Sequence, residues 1–163
     1  MYHRWLVAHD FEPCANSAAD AAARVALACR VDGAATVVLA HVVSPPVMPM
    51  SGDVLGGGAS TLAAIDMMMS TSSERLEEEA RVLRSQHPGL TVETVVLSGS
   101  PVEALIAHAE QTNVDAIAIG SHGRTGFAHA FLGSVAERVV QKANCPVFVI
   151  KQNPMPVLAA AVA

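Results

Sequence analysis

Five short runs rich in Val, Ile and Ala, at residues 5–8, 36–43, 92–97, 116–119 and 147–150, recur along this chain of 163 residues. They are nearly continuous in apolar character rather than alternating, as expected of strands buried on both faces. Between them lie segments with helical spacing: Ala18, Ala21, Ala22, Val25 and Cys29, then Leu76, Ala80 and Leu83. Val102, Leu105, Ile106 and Ala109 follow, and then Val135, Ala136, Val139 and Val140. Parallel strands cannot be joined by hairpins and need crossover connections, so this alternation predicts an α/β domain: an open, five-stranded parallel sheet, doubly wound, with helices on both faces. In such a sheet the ligand lies beyond the carboxyl ends of the strands, where their order reverses, which directs attention to residues just after each strand.

Helix starts are expected where a hydroxyl residue precedes an acid by three positions, because the pair can satisfy free backbone N–H groups reciprocally. Ser17 with Asp20, Thr71 with Glu74, Ser100 with Glu103 and Ser134 with Glu137 fit, and Pro101 suits a first helical position. Residues 1–151 read as one domain. Within it, 44–70 carries Pro45, Pro46, Pro49 and Gly56-Gly57-Gly58 and is expected to be a variable connection with room for a short helix. Residues 152–163 are expected to form a tail outside the core.

Ten Lys plus Arg against fifteen Asp plus Glu leave a net charge of −5, which supplies no broad basic surface for a nucleic-acid backbone. Only Lys142 and Lys151 are lysines, so anchoring to an anionic membrane is equally unsupported. Cys14, Cys29 and Cys145 make neither a zinc spacing nor an even disulfide set, and a reducing cytoplasm is the expected location. The first apolar run is too short for a signal-peptide core, and no stretch is long enough to span a bilayer.

Chemistry concentrates between Gly120 and Glu137. Gly120 and Gly123 permit positive φ and close ligand approach, while Gly133-Ser134 opens a helix whose free N–H groups attract anions without a lysine. A tight turn alone would also use such glycines. The spacing Gly120-x-x-Gly123, nine residues, Gly133-Ser134 is similar to the glycine signature of the ATP-binding branch of the universal stress protein family. Asp10, His41-Val42, Gly99-Ser100-Pro101 and Cys145-Pro146-Val147 look like further landmarks of that family, so the resemblance covers about residues 2 to 151.

The resemblance implies strand order 3-2-1-4-5 and an adenine nucleotide, ATP or AMP, as ligand. By position, the backbone of Val42 would meet the adenine edge and Asp10, with Ala8 beside it, the adenosine end. Gly120, Ser121, His122, Gly123, Arg124, Thr125 and Gly126, with Gly133, Ser134, Val135 and Ala136, would hold the phosphates. Mg²⁺ is expected only as the companion of a triphosphate. The resemblance also implies a homodimer paired through Val147–Ile150 and a stress-response role, as sensor or regulator, with a protein partner that the residues do not identify. His9-Asp10-Phe11-Glu12-Pro13 departs from the family pattern, where a small residue or Ser often follows the acid, which affects the local loop shape.

Two other readings stay open, a slow ATP hydrolase or phosphotransfer enzyme and a nucleotide-independent interaction protein. An efficient hydrolase is disfavoured because there is no G-x-x-x-x-G-K-[ST] loop and no carboxylate placed to orient His122. A receiver-like module lacks its acid after the third strand, where Ser98-Gly99 stands, and no G-x-S-x-G elbow is present. His41 and His108 are expected to be packed and hydrogen-bonded rather than metal ligands, and Met67-Met68-Met69 to fill irregular contacts.

Overall fold

The computed structural model describes residues 2–30, 33–44, 58–121 and 132–151, with side chains from Leu62 onward in the third stretch. The elements are β1 (Arg4–Ala8), α1 (Pro13–Cys29), β2 (Ala35–Val43), α2 (Gly58–Gln86), β3 (Leu90–Ser98), α3 (Pro101–Gln111), β4 (Ala116–Gly120), α4 (Ser134–Lys142) and β5 (Val147–Ile150). All strands are parallel, in the order β3-β2-β1-β4-β5, as expected.

β1 occupies the centre, with Leu6 in register with Val38 of β2 and Ile117 of β4. Side-chain alternation sends Trp5 and Val7 to one face, where they meet Val37, Leu39, Ala116 and Ala118 beneath α1 and α2. Leu6, Val38, Ile117 and Ile119 go to the other, beneath α3 and α4. α1 meets the sheet through Ala18, Ala19, Ala22, Ala23 and Ala26, all buried. Alanines at this spacing let the helix lie close to the strands, and the large ring of Trp5 fills the space they leave. At the amino edge, Asp115 Oδ2 accepts the N–H groups of His3 at 3.0 Å and Arg4 at 2.8 Å, fixing the start of β1 against β4. No helix among the described residues is long and apolar enough to cross a membrane.

The helix starts depart from expectation. α1 begins at Pro13 behind Glu12, and Ser17 lies inside it, donating its hydroxyl to the Pro13 carbonyl at 3.1 Å. Proline at a first helical position loses no bond, and this outweighs the Ser17 signal. α2 begins at Gly58, within the stretch expected to be an irregular connection, so Thr71 is mid-helix. The serines and threonines at 70–73 look like a cap, yet the inward stripe of Ile65, Met69, Leu76, Ala80 and Leu83 runs past them, and packing overrides their modest propensity cost. Ser100 does occupy the N-cap of α3, but its hydroxyl bonds the Glu103 carboxylate instead of a backbone N–H. That bond and Lys142 Nζ at 3.1 Å hold the Glu103 carboxyl down at about 2 and link the start of α3 to the end of α4. Gly133, not Ser134, caps α4.

Leu6 is fully buried in the central strand. Leu6→Ala is expected to destabilise the fold by about 2–5 kcal/mol through lost transfer energy and a residual cavity, read as a lower urea midpoint at unchanged slope. Met67→Ala, at a position 73% exposed, is expected to stay within about 0.5 kcal/mol of the parent.

Candidate functional site

β1 and β4 are neighbours whose following helices leave across opposite faces, so their carboxyl ends part and open a crevice. A cleft of about 320 Å³ lies there. Ala8, Asp10, Val42 and Gly120 line it, as do Gly133, Ser134, Val135 and Ala136, so residues far apart in sequence share one cleft. Its remaining walls come from residues not anticipated as site residues: His9 and His41, apolar Ala15, Ala40, Leu105 and Ile119, and Pro101 at the start of α3. His9 and His41 sit immediately after or at the end of strands, a location that could have flagged them.

One wall presents backbone. His9 N–H donates to Ala40 C=O at 2.8 Å, and Gly99 N–H donates to Val43 C=O at 3.0 Å, so alternate residues of β2 face β1 and β3. Val42, two beyond Ala40, therefore faces the β1 side, where β1 has already ended at Ala8. Its N–H and C=O form an adjacent donor and acceptor on the cleft. The opposite wall is the amino end of α4, where Ser134, Val135 and Ala136 occupy the first helical positions and their N–H groups have no intrahelical acceptor. α3 also starts at the cleft, at Pro101, with the Glu103 carboxylate on its first turn.

Between these walls, the unusual His9–Pro13 sequence makes an unusual turn. Phe11 has φ 67°, in the left-handed region that costs a bulky residue about 1–2 kcal/mol. Several contacts of comparable size hold it. Phe11 N–H donates to His9 Nδ1 at 3.3 Å, and Glu12 N–H to Asp10 Oδ1 at 3.1 Å. The Phe11 ring lies 4.4 Å from that of His41, with the Arg75 guanidinium of α2 at 4.1 Å. His41 Nδ1 donates to the His9 carbonyl at 2.7 Å, in keeping with the packed role expected of it. Asp10 thus commits one oxygen to the turn and keeps Oδ2 without a bond among the described residues, on the cleft wall. Burial pushes the His9 imidazole below its ordinary value, against the opposing effect of its bond to Asn16.

Ser121 stands apart from the cleft wall and is buried. Its N–H donates to Ile150 C=O at 2.8 Å, its carbonyl accepts Gly133 N–H at 2.8 Å, and Cys14 Sγ lies 3.8 Å from its hydroxyl. These bonds bring the two ends of the glycine segment together. Gly120 is glycine for a different reason from the expected positive φ: a Cβ there would meet Cys14 Cβ at 3.0 Å and the Cys14 carbonyl carbon at 3.1 Å. It lets α1 approach the end of β4. His122, Gly123, Arg124, Thr125 and Gly126 lie outside the described residues.

Fold and cleft together define a small doubly wound α/β domain whose switch-point crevice is closed on one side by a helix amino terminus. The chain belongs to the universal stress protein family, whose model matches residues 1–151. It is 29% identical over 161 residues to universal stress protein MJ0577 of Methanocaldococcus jannaschii, covering 94% of this chain and 97% of that protein. The solved structure of MJ0577 matches with a TM-score of 0.73 at 27% identity, over 94% of this chain and 99% of that one. Universal stress protein MJ0531 of the same organism is 37% identical over 86 residues, 49% of this chain and 51% of that protein, so this match spans about half of each. A universal stress protein from Archaeoglobus fulgidus, solved in complex with dAMP, has a TM-score of 0.57 at 24% identity, covering 92% of this chain and 98% of that one, a likeness of fold.

The Gly120 contact is directly testable. Gly120→Ala is expected to cost about 1–3 kcal/mol in urea unfolding, because the added carbon meets backbone that cannot swing aside. A neutral substitution would show that α1 moves freely away from β4.

Proposed function

We propose that this cleft binds an adenine nucleotide, ATP or AMP, and that the protein works as a homodimeric stress-response sensor or regulator whose output follows occupancy. The observation that carries the reading is that one cleft brings together the open backbone edge of Val42, the Asp10 carboxylate and the amino end of α4. These match, in order, a base edge that both donates and accepts, a ribose hydroxyl, and phosphate. Ala8, Ala40 and Leu105 supply apolar contact for the base. The volume of about 320 Å³ lies within the roughly 300–1,000 Å³ usual for small-molecule sites. The glycine segment 120–126 would complete the phosphate side, and Mg²⁺ would enter with a triphosphate.

Binding is favoured over turnover because the two histidines on the cleft already hold protein groups, His9 on Phe11 and Asn16, and His41 on the His9 carbonyl. Self-association is assigned to β5, an edge strand with partly exposed Val147, Phe148, Val149 and Ile150. An apolar edge of this kind needs cover, and a second copy supplies it. A cytoplasmic location agrees with three free cysteines.

Freshly purified protein, denatured and analysed by mass spectrometry, is expected to release adenine nucleotide, and the stripped protein to bind ATP–Mg²⁺ by calorimetry. Gly133→Val, whose φ of −59° any residue adopts, should keep the fold and cut affinity more than about tenfold by placing a branched side chain in the cleft. Asp10→Asn retains the oxygen that accepts Glu12 N–H and should lose about tenfold, as for a hydrogen bond to a charged group. Unchanged affinity in both folded variants would move the site elsewhere, and phosphate release at a rate matching binding would replace the sensor with a hydrolase.

The edge assignment has its own test. Phe148, 37% exposed and 4.8 Å from the Trp5 ring, is expected to lie near its copy, so Phe148→Glu should give a monomer by light scattering at concentrations where the parent is dimeric. A persistent dimer would exclude β5 as the contact.

A further inference from the structure

We infer that His9 is a positioning residue of the cleft: only its neutral Nε2–H form can hold the left-handed turn at Phe11 that presents Asp10, so acid loosens the cleft. The consequence for affinity rests on the nucleotide reading, while the turn mechanism stands on geometry alone.

The tautomer follows from the bonds. A backbone N–H can only donate, so the 3.3 Å contact from Phe11 N–H makes His9 Nδ1 an acceptor without a proton. The ring proton is then on Nε2, which donates to Asn16 Oδ1 at 2.7 Å, and the Asn16 amide orientation is fixed by the same reasoning. A second proton on His9 would go to Nδ1 and set two donors head to head. The Phe11 N–H would have to turn away, and Phe11 is the residue whose φ of 67° has little tolerance for losing its restraints. Because Asp10 Oδ1 is held by Glu12 N–H in the same turn, the carboxylate moves with it.

The groups around His9 set the sign. Asn16 of α1 bonds it, and the negative charges of Glu79 on α2 and Asp10 in its own loop favour the charged ring. His41 on β2 opposes it when charged, and Arg75 of α2 lies on the far side of Phe11. Burial outweighs the rest and lowers the imidazole below 6.5. A histidine lowered in the folded state contributes stability that is full above the unfolded value and is lost progressively as pH falls from there to the folded value. The ordered turn is therefore complete above about pH 6.5 and weakens below it. His41 Nδ1 donates to the His9 carbonyl and so does not compete for the Phe11 N–H.

His9→Asn separates the charge from the bond. An asparagine Oδ1 can accept the N–H two residues on, as in an Asx turn, and does not titrate. Affinity for ATP–Mg²⁺ measured by calorimetry from pH 8 to pH 5 is expected to fall about tenfold further in the parent than in this variant, a comparison that cancels the nucleotide's own protonation. The readout is the change with pH within each protein and not the affinity at pH 8, where the variant also lacks the Nε2 bond to Asn16. In parallel, ¹⁵N spectra of the nucleotide-free parent should show His9 protonated on Nε2 and not Nδ1 at pH 7.5, with the Phe11 amide shifting as His9 titrates below 6.5. Coincident affinity profiles for the two proteins, or a His9 titration that leaves the Phe11 amide unmoved, would overturn the proposal. Failure of the parent to bind nucleotide at pH 8, with the Phe11 shift present, would sink the nucleotide reading and leave the turn mechanism supported.

Discussion

Every strand in this sheet runs the same way, and each connection must therefore cross a face before the next strand begins. That constraint gathers all the strand carboxyl ends and all the helix amino ends on one edge. It also explains why a crevice forms between β1 and β4 rather than elsewhere, since their helices depart to opposite faces. The apolar interior makes the scaffold rigid, and the edge receives the residues whose backbone groups have no ladder partner. Val42 is the clearest instance: it is an ordinary strand residue, exposed to the cleft only because β1 is shorter than β2.

Close approach at that edge depends on small residues. α1 lies near the sheet because it packs with alanines, and its first turn comes so near to β4 that Gly120 has no room for a side chain. The same junction holds Ser121, which bonds both Ile150 at the end of β5 and Gly133 at the start of α4. The beginning of α1, the ends of β4 and β5 and the start of α4 are thus tied at one buried point. Two backbone hydrogen bonds through Ser121 therefore join the start of α4, on the cleft wall, to the end of the edge strand.

β1, β2 and β4 were legible in the sequence because burial on both faces leaves little room for polar residues, and the edge strands β3 and β5, though partly exposed, still carry apolar runs that mark them within a few positions. Helix beginnings were harder to read. Ser17 and Thr71 have acids three residues later, yet both lie inside helices, because such pairs also occur wherever a hydroxyl faces outward and because Pro13 and the inward stripe of α2 decide the actual boundaries. Gly133-Ser134 was legible as a helix start, whereas Asp10, Val42, Val135 and Ala136 were singled out by the family resemblance; all of them line the cleft. His9 and His41 also stand at strand ends, but their bonds in the cleft depend on a left-handed turn at Phe11, and a phenylalanine does not announce that conformation as a glycine would. Gly120 was noticed for its type, but its reason is a neighbour from another element, which local pattern does not encode.

The lack of lysine around the glycine segment would count against phosphate recognition if charge had to come from side chains. In this fold it does not. Each helix amino terminus carries roughly half a positive charge, and α4 presents its first-turn donors to the cleft, while the α3 end is partly answered by the Glu103 carboxylate. Side-chain ammonium groups lose rotamer freedom when they bind, whereas helix donors are fixed by the same hydrogen bonds that make the helix. The net charge of −5 is then compatible with an anionic ligand, since what matters is the field inside the crevice and not the sum over the surface. Such a site discriminates by shape and donor geometry more than by charge, because its donors are fixed in direction by the fold.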